Sequence, residues 1–191
     1  MPGEVPWIVL GLGNPEADYG GTRHNLGADV VRTMAERAGV TLRRSKQRAA
    51  VAELRDGDQR IVLARPDGYM NESGGPASML LRWYGGDVEH LVVVHDDIDL
   101  AAGRLQARRG GGSGGHNGLK DIVKAVGSRE FLRLRLGVGR PPGRQDPADY
   151  VLAHIPKRLA EELGVLVERA ADAATDLLHL PLERVQAAYN G

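Results

Sequence analysis

The 191-residue chain has no cysteine. That excludes a disulfide-stapled framework and a thiolate metal site. It also lacks any apolar run near the roughly 20 residues a membrane span needs. The opening stretch, residues 1–15, places an acid and no basic residue ahead of a very short apolar run, so no signal peptide is expected. Internal repeats and low-complexity tails are missing too. A hydrophobic fraction of 42% with 26% charged residues is that of a globular chain rather than a disordered one. The expectation is a soluble, cytoplasmic protein whose length suffices for one domain with a full core.

Net charge is absent as well, with 25 basic groups against 25 acidic ones. That total argues against a nucleic-acid partner, but the charges are not evenly spread. Residues 1–100 hold 11 basic and 15 acidic groups, a net of −4. Residues 101–145 hold 10 and 2, a net of +8, and residues 146–191 hold 4 and 8, a net of −4. Such asymmetry suits an anionic partner at one face. It suits a solvated basic surface equally well.

Residues 7–12 form a short apolar run ending at Gly11 and Gly13, which reads as a buried strand feeding a turn. Residues 28–38 have helical spacing and stop at Gly39. Residues 50–54 and 60–64 flank Asp56-Gly57-Asp58 as a hairpin would. The pattern predicts a helix over 76–84, strands over 90–94 and 104–107, a helix over 118–126 and a strand over 131–138. A glycine- and proline-punctuated stretch, 140–147, precedes a long amphipathic helix over 157–178 and a short one over 182–189. Alternating strands and helices predict an α/β fold: a single-domain three-layer sandwich, with a mixed twisted β-sheet and helices on both faces. The residues beyond 147 are too few for a second core, so 140–191 is expected to be a lid-like segment and C-terminal helices packed on the main body.

Reactive side chains gather where strands end. Asn14 is followed by Thr22-Arg23-His24-Asn25, Pro66 by Tyr69-Met70-Asn71, and His95-Asp96-Asp97 by Asp99. The glycine run 110–115 leads into His116-Asn117. Ligands of open α/β sheets bind beyond the carboxyl ends of the strands, where these segments could converge. Taken singly, each is an ordinary turn. Gly11-x-Gly13 resembles a dinucleotide fingerprint, but Glu16 stands where the third glycine belongs. Gly111-Gly-Ser113-Gly-Gly115 matches a nucleophile elbow, with Asp146 or Asp149 and then His154 or His179 downstream. However, no apolar strand directly precedes that serine. Asp96, Asp97 and Asp99 could hold a hard metal ion, although alternation would split them between faces. The turn at 115–118 places backbone amides at a helix start, as an anion site or simply an Asn117 N-cap.

Together these segments resemble bacterial peptidyl-tRNA hydrolases. The matching stretches are Val9-Leu-Gly-Leu-Gly-Asn14-Pro15, Tyr19 with Thr22-Arg-His24-Asn25-Leu-Gly27, and Pro66 with Tyr69-Met70-Asn71-Glu-Ser-Gly74. They continue with His95-Asp96-Asp97 and Asp99-Leu100, then Gly110-Gly-Gly112 and Gly114-Gly-His116-Asn117-Gly-Leu119, then Arg135-Leu-Gly-Val-Gly139. Six segments in family order over residues 9–152 are far more specific than any one motif. The resemblance implies an ester hydrolase that frees tRNA from peptides abandoned by the ribosome, with no cofactor and no metal. Its implied partner is peptidyl-tRNA, held by the acceptor end and the peptide, and its implied state is a monomer with no membrane partner.

Carried over residue by residue, the resemblance places the catalytic histidine at His24 and its carboxylate at Asp96. It places the substrate-positioning asparagines at Asn14, Asn71 and Asn117, with Tyr19, Tyr69, Met70 and His116 beside them. Arg108 and Arg135 take the tRNA phosphate. The residue types suit that chemistry independently. A histidine near neutral pKa can take a proton from water. A carboxylate on its other nitrogen fixes the tautomer, and amide N–H groups can stabilise an oxyanion. Two departures stand out. Glu16 replaces a usual glycine, which would strain the loop and displace Asn14 if φ had to be positive there. Arg108 replaces a common lysine. A non-catalytic RNA-binding relative, a serine esterase using Ser113 and a metal-dependent hydrolase are the competing readings.

Overall fold

The computed structural model describes residues 4–191; the first three residues of the amino-terminal stretch lie outside it. Period-two alternation of apolar side chains builds the sheet. In strand β1 (Trp7–Gly11), Ile8 and Leu10 join one apolar cluster and Val9 the other. Strand β4 (Gln59–Pro66) divides in the same way, Val62 and Ala64 against Ile61 and Leu63. So does strand β5 (Leu91–Asp97), with Leu91 and Val93 against Val92 and Val94. Strands buried on both faces read as continuous apolar runs, and here they form the parallel centre of the sheet.

β1 pairs in parallel with β4 on one side and β5 on the other, and β5 pairs in parallel with β7 (Leu132–Gly137). The margins are antiparallel: β3 (Ala49–Asp56) on β4, β2 (Arg43–Arg44) on β3, and β6 (Leu105–Arg109) on β7. The seven strands run β2-β3-β4-β1-β5-β7-β6. Two exposed arginines make β2 a short, charged edge, which discourages pairing with another chain.

Helices cover both faces. Helix α2 (Leu26–Arg37) packs with α6 (Lys157–Leu177) and α7 (Leu182–Tyr189) over one face. Helices α3 (Gly74–Tyr84) and α4 (Asn117–Val126) cover the other. This is the three-layer α/β sandwich with a mixed sheet that the alternation predicts.

Three local differences have physical causes. Strand β5 runs on through His95-Asp96-Asp97 instead of ending at Val94, because β7 continues alongside and pairs these residues with Arg135, Leu136 and Gly137. A short helix, α5 (Pro147–Leu152), follows the punctuated stretch 140–147, where the pattern predicts no element. Its signal was present: Asp146 accepts the Ala148 N–H at 2.8 Å, and proline sits at the first turn. Glu16 is unstrained. It opens the short helix α1 (Glu16–Tyr19), and Arg48 is the positive-φ non-glycine residue among those described.

One close approach fixes α2 against the sheet. A Cβ on Gly27 would collide with the Val94 carbonyl and the Leu12 amide, and a Cβ on Gly11 with the Gly27 carbonyl. Main chain cannot yield as a side-chain tip can. Helix propensity favours alanine over glycine by about 1 kcal/mol, but forced overpacking costs about 1–3 kcal/mol, and the steric term should win. Gly27→Ala is therefore expected to lower the urea midpoint with an unchanged m-value. A midpoint at or above wild type would refute the tight contact.

Candidate active site

The chain leaves β1 for α2 on one face, whereas the connection from β4 through α3 to β5 passes β1 on the other. The two directions part at the carboxyl end of β1, where open α/β sheets bind ligands. Asn14 follows β1, Met70 and Asn71 follow β4, and Asp96 lies near the end of β5. His116 and Asn117 start α4, and His24 lies in the 3-10 turn Arg23–Asn25 before α2.

Asp96 is the hub. Its side chain is 2% exposed, and both carboxylate oxygens contact His24 Nδ1, at 2.9 and 3.0 Å. Oδ1 also lies 3.1 Å from His116 Nε2. The hydrogen-bond pattern assigns the tautomers. His116 Nδ1 accepts the Leu119 N–H at 3.4 Å, so its Nε2–H donates to Asp96. His24 donates through Nδ1–H, which leaves its Nε2 lone pair free.

Burial alone would push the Asp96 carboxyl up, yet the charge of His24 and the donors of both imidazoles hold it far below the usual carboxylate range. Burial would lower His24, but the Asp96 charge and hydrogen bond outweigh it, and the imidazole titrates above its ordinary value of 6.5. His95 behaves differently. It is fully buried beside His116 and is depressed to about 3, first by desolvation and then by His116. Its Nδ1–H donates to the Asp96 carbonyl at 2.8 Å, so it orients the main chain of β5 as a neutral ring.

Asn25 pins the strand-end loop. Its Oδ1 accepts the Asn14 N–H at 2.8 Å, and its Nδ2 donates to the Asn14 carbonyl at 3.0 Å. Asn14 Oδ1 in turn accepts the Met70 N–H at 2.7 Å. The two buried carboxamides thus join the loops after β1 and β4 to the turn that carries His24. With its oxygen engaged, Asn14 has its side-chain N–H groups left for the cavity. Sequence reading missed Asn25, although the quoted motif contained it. A fully buried asparagine with both polar atoms bonded to main chain is legible only in three dimensions.

An open cavity of about 810 Å³ lies over these groups. Of the eleven predicted site residues, nine line it: Asn14, Tyr19, His24, Tyr69, Met70, Asn71, Asp96, His116 and Asn117. Tyr19 and Tyr69 meet edge to face at 6.5 Å on one wall. Ile98, Arg140, Val151 and Leu152 also line it and were not anticipated. The last two come from α5, which is bound to the turn that carries His24. Arg23 Nη1 donates to the Tyr150 carbonyl at 3.3 Å, its guanidinium lies 4.0 Å from the Tyr150 ring centroid, and Thr22 bridges His154.

Arg108 and Arg135 lie outside the cavity lining. Arg135 is engaged within the protein. Its Nε donates to Asp97 at 2.7 Å, and Nη1 donates to Gln106. No ion pair holds Arg108 among the described residues. Asn117 is not the helix cap; it occupies the first helical position, and His116 caps α4.

The competing constellations do not assemble. The three aspartates are engaged separately: Asp96 by the histidines, Asp97 by Arg135, and Asp99 by Arg140. A metal's donors would instead be His24, Asp96 and His116, whose ligand atoms lie within 4.8 Å of one another, with both histidines already bonded to Asp96. Ser113 lines the cavity, but no histidine accepts from its hydroxyl among the described residues. His179, one of the two proposed bases, pairs with Asp56 at the far tip of the β3–β4 hairpin.

Comparison with known proteins places the chain in a family. The family model described as peptidyl-tRNA hydrolase matches residues 8–191. A peptidyl-tRNA hydrolase of Frankia alni is 48% identical over 185 residues, covering 97% of this chain and 94% of its own. One from Streptomyces coelicolor is 45% identical over 192 residues, covering 97% and 96%. The crystal structure of peptidyl-tRNA hydrolase from Acinetobacter baumannii superposes with a TM-score of 0.91 at 29% identity, over 99% of this chain and 97% of that one. With the match spanning nearly the whole chain, sheet and cavity included, the chain belongs to the peptidyl-tRNA hydrolase family.

Proposed function

We propose that this chain hydrolyses the ester between a peptide and the terminal ribose of tRNA, with His24 as general base and Asp96 as the group that orients it. The observation that carries the reading is the His24–Asp96 pair, with the free Nε2 of His24 in a cavity lined by three asparagines. Nε2 takes a proton from water as the water oxygen attacks the ester carbonyl. The side-chain N–H groups of the asparagines donate to the developing oxyanion, each such donor being worth about 3 kcal/mol. Collapse of the tetrahedral adduct breaks the acyl–oxygen bond, and the imidazolium returns its proton to the departing ribose oxygen. An ester needs no covalent enzyme nucleophile, so Ser113 has no step to perform.

Carboxamides suit the peptide because they read main-chain amides, which every substrate shares. Tyr19, Tyr69 and Met70 supply apolar surface beside them, and residues 140–156 form a lid-like wall. Arg108, with the remaining N–H groups of Arg135, takes the tRNA phosphate and contributes salt-dependent affinity. The working form in this reading is a cytoplasmic monomer; among the described residues no helix is long and apolar enough to cross a membrane.

Loss of the base is expected to dominate. His24→Ala should lower kcat for peptide release by about 100- to 10,000-fold while tRNA binding persists, and Ser113→Ala should keep the wild-type rate. Retained turnover in the His24 variant would remove the mechanism. The pH dependence is a second check. His24 must be neutral to act, and its folded pKa is raised, so kcat/KM should climb with pH through an inflection above 6.5. Asp96→Asn removes the charge that raises it, leaving desolvation unopposed. That variant should be slower, with its acidic inflection moved to lower pH. An inflection that stays in place would show that Asp96 does not control His24.

A further inference from the structure

Gly110, Gly111, Gly114 and Gly115 all have positive φ, so the loop between β6 and α4 is built from conformations most residues avoid. It has little side-chain mass to anchor it, yet it delivers His116 and Asn117 to the cavity. Its anchor comes from near the start of β7. The Arg133 side chain is 2% exposed, and its Nη1 donates to the Gly112 carbonyl at 2.5 Å and its Nη2 to the Gly111 carbonyl at 2.6 Å.

This is a costly place for a cation. Burial, then the charges of Arg108, Arg135 and Arg129, depress Arg133 to about 10, so it remains protonated near neutrality. Its Nε has no partner, and no carboxylate pairs with it among the described residues. Neighbouring Arg135 has Asp97, whereas Arg133 has two loop carbonyls and the Phe131 ring, whose centroid lies 5.1 Å away. Charge-assisted bonds to two successive carbonyls hold both peptide planes at once.

One of the two anchored residues, Gly111, also lies against Arg108. The Arg108 guanidinium lies so close over Gly111 that a Cβ there would overlap it. We infer that Arg133 is a positioning residue for tRNA binding: it fixes Gly111 and Gly112 as a bare main-chain floor on which the Arg108 guanidinium is held toward phosphate. The inference rests on the reading of Arg108 as a phosphate ligand. Arg133 itself is shut away from substrate and acts through Arg108. A lysine in its place could reach one carbonyl at a time and should restore part of the effect.

The test is steady-state hydrolysis of an N-blocked aminoacyl-tRNA by the full chain at low salt, below each variant's melting midpoint. Arg108→Ala and Arg133→Met should each raise KM about tenfold, a loss of about 1.4 kcal/mol of binding. In Arg133→Met, kcat should stay within about threefold of wild type. Arg133→Lys should fall between. The double variant should be little worse than the worse single one, because both changes remove one interaction. KM raised by Arg108→Ala but not by Arg133→Met, or additive effects in the double variant, would overturn the positioning role alone. KM unchanged in Arg108→Ala would remove the phosphate reading and this inference with it. If Arg133→Met does not fold, Gly111→Ala tests the floor with Arg133 in place: a similar rise in KM is expected, and an unchanged KM would overturn the inference.

Discussion

A carboxylate sealed at the end of a parallel strand must be compensated, and at Asp96 the compensation is a histidine on either side. An isolated buried charge costs several kcal/mol. The donors of His24 and His116 offset that cost and arrive from opposite faces of the sheet, one ahead of α2 and the other at the start of α4. The hydrogen bonds that stabilise the charge therefore also lock two layers of the sandwich at the candidate site. The same bonds raise the His24 pKa and turn its free nitrogen outward.

The precision of that arrangement comes from close main-chain packing. Gly11 and Gly27 let β1 and α2 approach to backbone contact. The turn holding His24 is thereby tied to the strand next to β5. Asn25 and Asn14 extend the tie to the loop after β4 through hydrogen bonds to main chain. The cavity-lining groups sit on strand ends and helix starts, so small displacements are resisted by the core itself.

Charge is distributed with similar economy. The basic middle of the chain is not a uniform surface. Arg133 is buried under the glycine loop, and Arg135 and Arg140 are paired with Asp97 and Asp99. Arg108 has no such pair among the described residues and lies beside the loop leading to the site. A balanced total is thus compatible with a local electropositive contact. In the proposed reading, a half-buried arginine without an acidic pair, set beside that loop, suits docking of a single phosphate rather than general coating of nucleic acid.

The alternation of apolar residues is a local property, so the sandwich, its two faces and most element boundaries were legible along the chain. The motif residues were legible as a set, because six segments in order are specific even when each is an ordinary turn. Other features depended on partners distant in sequence. His24 and Asp96 lie 72 residues apart. Neither residue alone says which nitrogen faces the carboxylate. β5 continued through Asp97 because β7 lay alongside, α5 closed one wall because Arg23 and Thr22 held it, and Arg133 and Arg135, two residues apart, took different roles because the groups above them differ. Sequence by itself determined the residue types and the periodicity of this protein. Tertiary structure alone decided burial and hydrogen-bond partners, and these set the tautomers, the pKa values and the availability of each arginine.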